Sequence, residues 1–135
     1  MAVRIVSNYD DSLVSRAEIV KDSAAVVKGG FVSYDSGYVV PATTSGKIEG
    51  IANHSVTAAA DNSTVAKAKA SFTKNHPGLE VEAEISGGTI TQGDVGKFYS
   101  LVDNDTVDGT TESATAGQVR LVGFISATLG RFEIV

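Results

Sequence analysis

From Leu79 to Ile85 apolar and acidic residues alternate without a fault, as Leu79-Glu80-Val81-Glu82-Ala83-Glu84-Ile85. A period of two puts Leu79, Val81, Ala83 and Ile85 on one face and three glutamates on the other, so the segment reads as a half-buried strand. The glutamates read as a solvated face or a rim for lysine, ahead of any acid-base pair. Upstream, Val65-Ala66-Lys67-Ala68-Lys69-Ala70-Ser71-Phe72 sets Ala66, Ala68, Ala70 and Phe72 against Lys67 and Lys69. It reads as a second strand, although its Ala and Lys content leaves a short helix open. The link Lys74-Asn75-His76-Pro77-Gly78 carries a Pro-Gly turn signal. The spacing therefore predicts a hairpin in which Lys67 and Lys69 face Glu80, Glu82 and Glu84.

Further strands are predicted over 24–28, 31–34, 37–40, 47–52, 97–102, 119–126 and 132–135, which are rich in β-branched and aromatic residues. Asp35-Ser36-Gly37 and Leu129-Gly130-Arg131 read as tight hairpin turns. No stretch of ten residues carries a helical stripe, and residues 11–20 have room for a turn or two at most. Lys28-Gly29-Gly30-Phe31-Val32-Ser33-Tyr34-Asp35 is echoed by Val95-Gly96-Lys97-Phe98-Tyr99-Ser100-Leu101-Val102-Asp103. Residues 41–52 are echoed by 113–125, each block carrying an inner glycine, Gly50 or Gly123, that reads as a bulge or corner. The expected fold is all-β, a small barrel or sandwich of short antiparallel strands. The repeat allows two related β units that pair into one barrel. Residues 1–23, with Asp10-Asp11-Ser12 in their middle, read as an extended amino-terminal arm ahead of a single domain over 24–135.

At 135 residues the chain suits one domain, and 11 Lys plus Arg against 16 Asp plus Glu give a formal charge of -5. No basic surface points to nucleic acid. There is no cysteine, so disulfides, a thiolate nucleophile and sulfur-ligated zinc are excluded. The amino terminus lacks the apolar core of a secretory signal and no membrane segment is read, so folding in the cytoplasm is expected. The sequons at Asn53, Asn62 and Asn104 read as chance.

Asp103-Asn104-Asp105-Thr106-Val107-Asp108-Gly109 invites a calcium reading, but Val107 and Asp108 stand where the EF-hand loop needs an oxygen ligand and glycine. It reads as an acidic hairpin loop, and no metal or cofactor is expected. His54 and His76 neighbour no evident nucleophile, and no Gly-x-Ser-x-Gly elbow occurs. Gly29-Gly30 and Gly87-Gly88 lack the context of a phosphate cradle and read as turns. No catalytic residue is assigned.

The runs Gly29-Gly30-Phe31-Val32-Ser33-Tyr34-Asp35-Ser36-Gly37-Tyr38-Val39-Val40-Pro41-Ala42 and Gly46-Lys47-Ile48-Glu49-Gly50-Ile51-Ala52 resemble the opening of small capsid decoration, or cement, proteins of tailed bacteriophages. Gly117-Gln118-Val119-Arg120-Leu121-Val122-Gly123-Phe124 resembles the last member of the same kind of unit. The resemblance spans residues 24–135. It implies a non-enzymatic structural protein that binds the exterior of the phage head, contacts the major capsid protein and stabilises the shell, often as a homotrimer. It implies a place in the virion after synthesis in the host cytoplasm. On this reading Val3, Ile5, Val6 and Leu13 of the arm are the expected capsid or subunit contacts. The alternative is a phage fibre or baseplate β module that binds cell-surface carbohydrate, with Tyr34, Tyr38 and Tyr99 as its aromatic platform.

Overall fold

The computed structural model describes residues 3–8 and 15–135. Its strands are β1 (Arg4–Asn8), β2 (Ser15–Ile19), β3 (Ala25–Val26), β4 (Phe31–Asp35), β5 (Tyr38–Pro41), β6 (Gly50–Ala52), β7 (Val56–Thr57), β8 (Lys69–Lys74), β9 (Leu79–Ser86), β10 (Phe98–Leu101), β11 (Thr106–Ser113), β12 (Val119–Ser126) and β13 (Leu129–Ile134). Among the described residues the one helical element is a 3-10 turn at Gln92–Asp94, where the Asp94 carboxylate accepts from the Thr91 N–H at 2.8 Å. The expected all-β fold is therefore the observed one.

Five strands close into a small barrel in the order β9-β11-β10-β12-β13, because β13 pairs back onto β9 from Leu129↔Glu84 to Glu133↔Glu80. Every contact around it is antiparallel except β9–β11, which is parallel at Thr106↔Glu84, Val107↔Ile85 and Asp108↔Ser86. Below that parallel contact the same edge of β9 is covered by β1, antiparallel with Ile5 opposite Val81. A second sheet runs β2-β8-β6-β4-β5. Its outer strands meet at one parallel bridge, Val20↔Val39, where the Lys21 N–H donates to the Val39 carbonyl at 3.0 Å. A short antiparallel pair, β3–β7, sits beside it.

The two sheets share one topology. Taken in chain order, β2, β4, β5, β6 and β8 correspond to β9, β10, β11, β12 and β13. In each set the first strand meets the third in parallel, and the pairs third–second, second–fourth, fourth–fifth and fifth–first are antiparallel. The sequence echo maps onto this: β4 and β10 are the repeated Gly-strand-Asp segments, and β6 and β12 hold the inner glycines. The expectation that both units share one barrel is corrected. A strand has only two edges, and β4 and β10 each spend theirs on neighbours from their own unit.

Two apolar clusters fill the molecule. Val81, Ala83, Tyr99, Leu101, Val107, Leu121 and Phe132 pack in the closed barrel, joined by Phe31 and Ile51 of the other sheet and by Ile48 from the loop before β6. Val20, Val26, Val32, Val39, Ala70 and Phe72 form the core of the second sheet. Polar bonds tie the units together. The Phe31 N–H donates to the Asn104 carbonyl at 2.6 Å, and buried Gln118 accepts from the Leu101 N–H while donating to the Thr43 and Gly46 carbonyls, each at 2.9 Å.

Several local expectations are corrected. β8 and β9 are not a hairpin: both edges of β8 are taken by β2 and β6, so the Pro77-Gly78 turn, with Gly78 at φ 88, passes the chain from one sheet to the other. Lys67 and Lys69 therefore do not face the glutamates. The upstream strand starts at Lys69 instead of Val65, because residues 60–66 form turns and Lys67 has φ 52. Buried Asn62 holds that loop, donating to the Val20 and Ala68 carbonyls and accepting from the Ala68 N–H at 2.9 Å. Ala66 is exposed while Ala70 and Phe72 are buried. Glu82 leaves the solvated face, being 9% exposed and paired with Arg4 of β1. The last turn is Ala127-Thr128, two residues before the predicted start, and Thr106 begins a strand where an acidic loop was expected to continue. Residues 15–19 are a strand and not a helical turn, and with β1 they place the described parts of residues 1–23 in sheets.

Candidate functional site

The carboxy-terminal hairpin carries two bulges. Its register slips between Leu121 and Gly123 and again between Phe124 and Ser126, leaving Ile125 without a partner on β13. Gly123 thus marks a bulge, as its position suggested, whereas Gly50 marks a close approach: a β-carbon there would lie 2.2 Å from the Thr73 carbonyl oxygen. A bulge breaks the strict alternation of a strand. As a result Phe124 and Ile125, adjacent in sequence, are both about two-fifths exposed, at 39% and 41%. Val95 is exposed beside the same strand, since the next residue, Gly96, donates its N–H to the Leu121 carbonyl at 2.7 Å. Large apolar side chains held outward on a closed barrel are the surface feature expected of a protein contact.

The segments that include Val95 and β12 also carry a charged network. Lys97 binds Asp94 at 3.0 Å and Glu112, while Arg120 reaches Glu133 at 3.3 Å, donates to the Gly96 carbonyl and lies over the Phe98 ring. Bonding to Lys97 holds Asp94 below the usual carboxylate range, and Glu112 with Asp94 pushes Lys97 above the usual lysine value. These groups are satisfied by one another and present no free acid or base.

Two open grooves flank the β4–β5 hairpin, whose Ser36-Gly37 turn has φ 53 and 86, as a tight two-residue hairpin requires. One, of about 290 Å³, is lined by Ser33, Tyr34, Asp35, Pro41, Lys47 and Glu49. The other, of about 540 Å³, runs between Val40, Pro41 and Thr44 on one side and Val102, Asp103 and Asn104 on the other. Asp103 of that lining accepts from the Asp105 N–H, at 3.0 Å to Oδ1. Burial and the neighbouring Asp103 carboxylate push Asp105 up. Burial also pushes on Asp103, but hydrogen bonds from Asp105 and Thr106 outweigh it and hold that carboxyl low.

The residues singled out in the sequence are scattered. Val3 is buried in the barrel core at 6% exposure, with its N–H on the Gly29 carbonyl at 2.7 Å, and Ile5 packs half-buried on the same cluster. Val6 lies in β1, and Leu13 lies outside the described residues. Tyr99 leaves the proposed aromatic platform: it is 1% exposed inside the barrel, edge-on to Phe132 at 6.2 Å. Tyr34, edge-on to Phe72 at 6.1 Å, is partly exposed in the smaller groove. His76 turns Nδ1 onto its neighbour's carbonyl, Pro77 O, at 3.0 Å, and His54 is exposed after β6. Among the described residues no three His, Asp or Glu gather to hold a metal, and no helix is long and apolar enough to cross a membrane. The exposed pair Phe124 and Ile125 was missed because the sequence shows only one apolar strand there; the bulges that turn both outward are set by the pairing with β13.

The chain matches no protein-family model, and no curated protein is significantly similar to it.

Proposed function

We propose that this chain is a non-enzymatic structural protein that binds the exterior of a phage head, contacts the major capsid protein and stabilises the shell. The observation that carries the reading is the outward pair Phe124 and Ile125 on the carboxy-terminal hairpin. Such anchors suit docking on a preformed protein surface. The resemblance of residues 24–135 to decoration proteins supports the same reading, and the net charge of -5 suits an exterior position away from packaged nucleic acid. On the head the protein acts as a homo-oligomer, a trimer being the state that the resemblance implies, and it reaches the virion from the host cytoplasm.

The test is co-sedimentation with heads that lack the protein. Wild type should saturate at a fixed number of copies per head and delay heat disruption. The double variant Phe124→Ser, Ile125→Ser should stay folded, because neither side chain belongs to an apolar core, and bind at least about tenfold more weakly. Equal binding by the variant would overturn this contact, and absence of binding by wild type would overturn the function.

The groove beside Tyr34, with Ser33, Asp35, Lys47 and Glu49 converging on an aromatic edge, favours a second reading as a carbohydrate-binding β module. A glycan array that lights up for wild type and is silent for Tyr34→Ala would move that reading to the front.

A further inference from the structure

The shared topology of the two units exposes one difference between them. In the closed barrel the edge of β9 that precedes its parallel contact with β11 is covered by β1, with Ile5 opposite Val81. The corresponding edge of β2, before its parallel bridge to β5, has no strand on it among the described residues. Its backbone is oriented for pairing. The Val20 N–H turns inward to the Ala68 carbonyl and the Lys21 N–H turns outward to Val39, so by alternation the N–H and C=O groups of Ser15, Ala17 and Ile19 face the open edge.

The side chains define what that edge accepts. Counting back from the parallel contact, Val20 in one unit and Ile85 in the other, Arg16 and Glu18 stand where β9 has Val81 and Ala83. Both lie opposite core residues of β8, Arg16 across from Phe72 and Glu18 across from Ala70. Arg16 is exposed and Glu18 partly so, and neither forms an ion pair among the described residues. A strand that sets an apolar residue there, as β1 sets Ile5 opposite Val81, does not suit this edge. An antiparallel strand with an acid opposite Arg16 and a base opposite Glu18 does, and read in its own direction that strand is base, small residue, acid. Arg16-Ala17-Glu18 is itself such a sequence.

We propose that β2 is a self-association edge, where two copies of this chain join their β2 strands antiparallel about a two-fold axis at Ala17. The two Ala17 residues exchange both backbone hydrogen bonds. Arg16 and Glu18 then meet their counterparts as non-hydrogen-bonded pairs, the arrangement that brings opposing side chains closest. The contact is isologous and closes as a dimer, so a trimer would have to use other surfaces. It is independent of the capsid reading.

The experiment is light scattering and sedimentation velocity on the full chain over a range of concentrations. Wild type should approach twice the 13.9 kDa chain mass as concentration rises. Arg16→Glu alone and Glu18→Arg alone place like charges opposite one another and should each weaken dimerisation about tenfold or more. An equimolar mixture of the two single variants should form a heterodimer, and the double exchange Arg16→Glu, Glu18→Arg should restore the homodimer. Ala17→Pro, which removes an N–H that points away from β8, should abolish both. A wild type that stays monomeric to millimolar concentration would overturn the proposal and leave Arg16 and Glu18 as charges that guard an edge. Single variants that dimerise as wild type does, or a mixture that fails to pair, would overturn it as well.

Discussion

Asp103 and Asp105 illustrate how a single loop tunes two like groups in opposite directions. Asp105 is pushed up by burial and by its neighbour, so it favours the folded state when protonated and opposes it once pH rises through its raised value. Asp105→Asn removes that opposition and keeps an acceptor for the Thr106 hydroxyl, which lies 3.0 Å away. The variant should melt at a higher temperature than wild type at pH 7, and the gain should vanish below the usual carboxylate range, where wild-type Asp105 is protonated in both states. Melting curves across pH check this, and a gain independent of pH would refute the charge explanation. Asp35, Asp94 and Asp108 run the other way. Lys21, Lys97 and Thr110 respectively hold them low, so their contributions are present above the usual carboxylate value and fade as pH falls through the lowered ones. None of these directions was legible in the sequence, where all five residues are simply acids near turns or strand ends.

At the scale of elements, β6 shows why glycine position carried partial information. The predicted strand over 47–52 shrinks to Gly50–Ala52, and its Gly50 lies so near β8 that a β-carbon would overlap the Thr73 carbonyl and stand 2.8 Å from Phe72 Cδ2. Gly50→Ala should therefore push β6 off β8 and destabilise the fold by about 2 kcal/mol or more in urea unfolding. A loss of only a few tenths would mean that the strands can part at little expense. The regular strands were legible where one face alone is buried: Val119–Ser126 is observed at its predicted bounds and Leu79–Ser86 differs by one residue. β11 was missed because Asp108, Gly109 and Glu112, poor strand formers by composition, interrupt its valine and threonines. Its pairing with β10 and parallel contact with β9 make it a strand all the same.

In the whole molecule, two cores are joined across one seam by Phe31, Ile48 and Ile51 and by the hydrogen bonds of Gln118. A shared seam of this kind couples unfolding of the two units. Phe72→Ala, in the core of the second sheet, and Phe132→Ala, in the barrel, should each lower stability by about 3–5 kcal/mol while leaving a single transition that moves as one. Calorimetry showing two transitions, with only one displaced by each variant, would mean that the units fold independently. The amino-acid sequence by itself determined the all-β class, most strand positions, the β4–β5 turn and the repeat, since alternation, turn residues and glycine spacing are short-range properties of the chain. Only the tertiary structure decided that the repeat makes two sheets of one topology, that β8 and β9 part company, that Tyr99 is buried, and that Phe124 and Ile125 both face outward. Those outcomes depend on which strand occupies each of the two edges of its neighbour. That competition is settled between residues far apart in sequence and leaves no mark on local pattern.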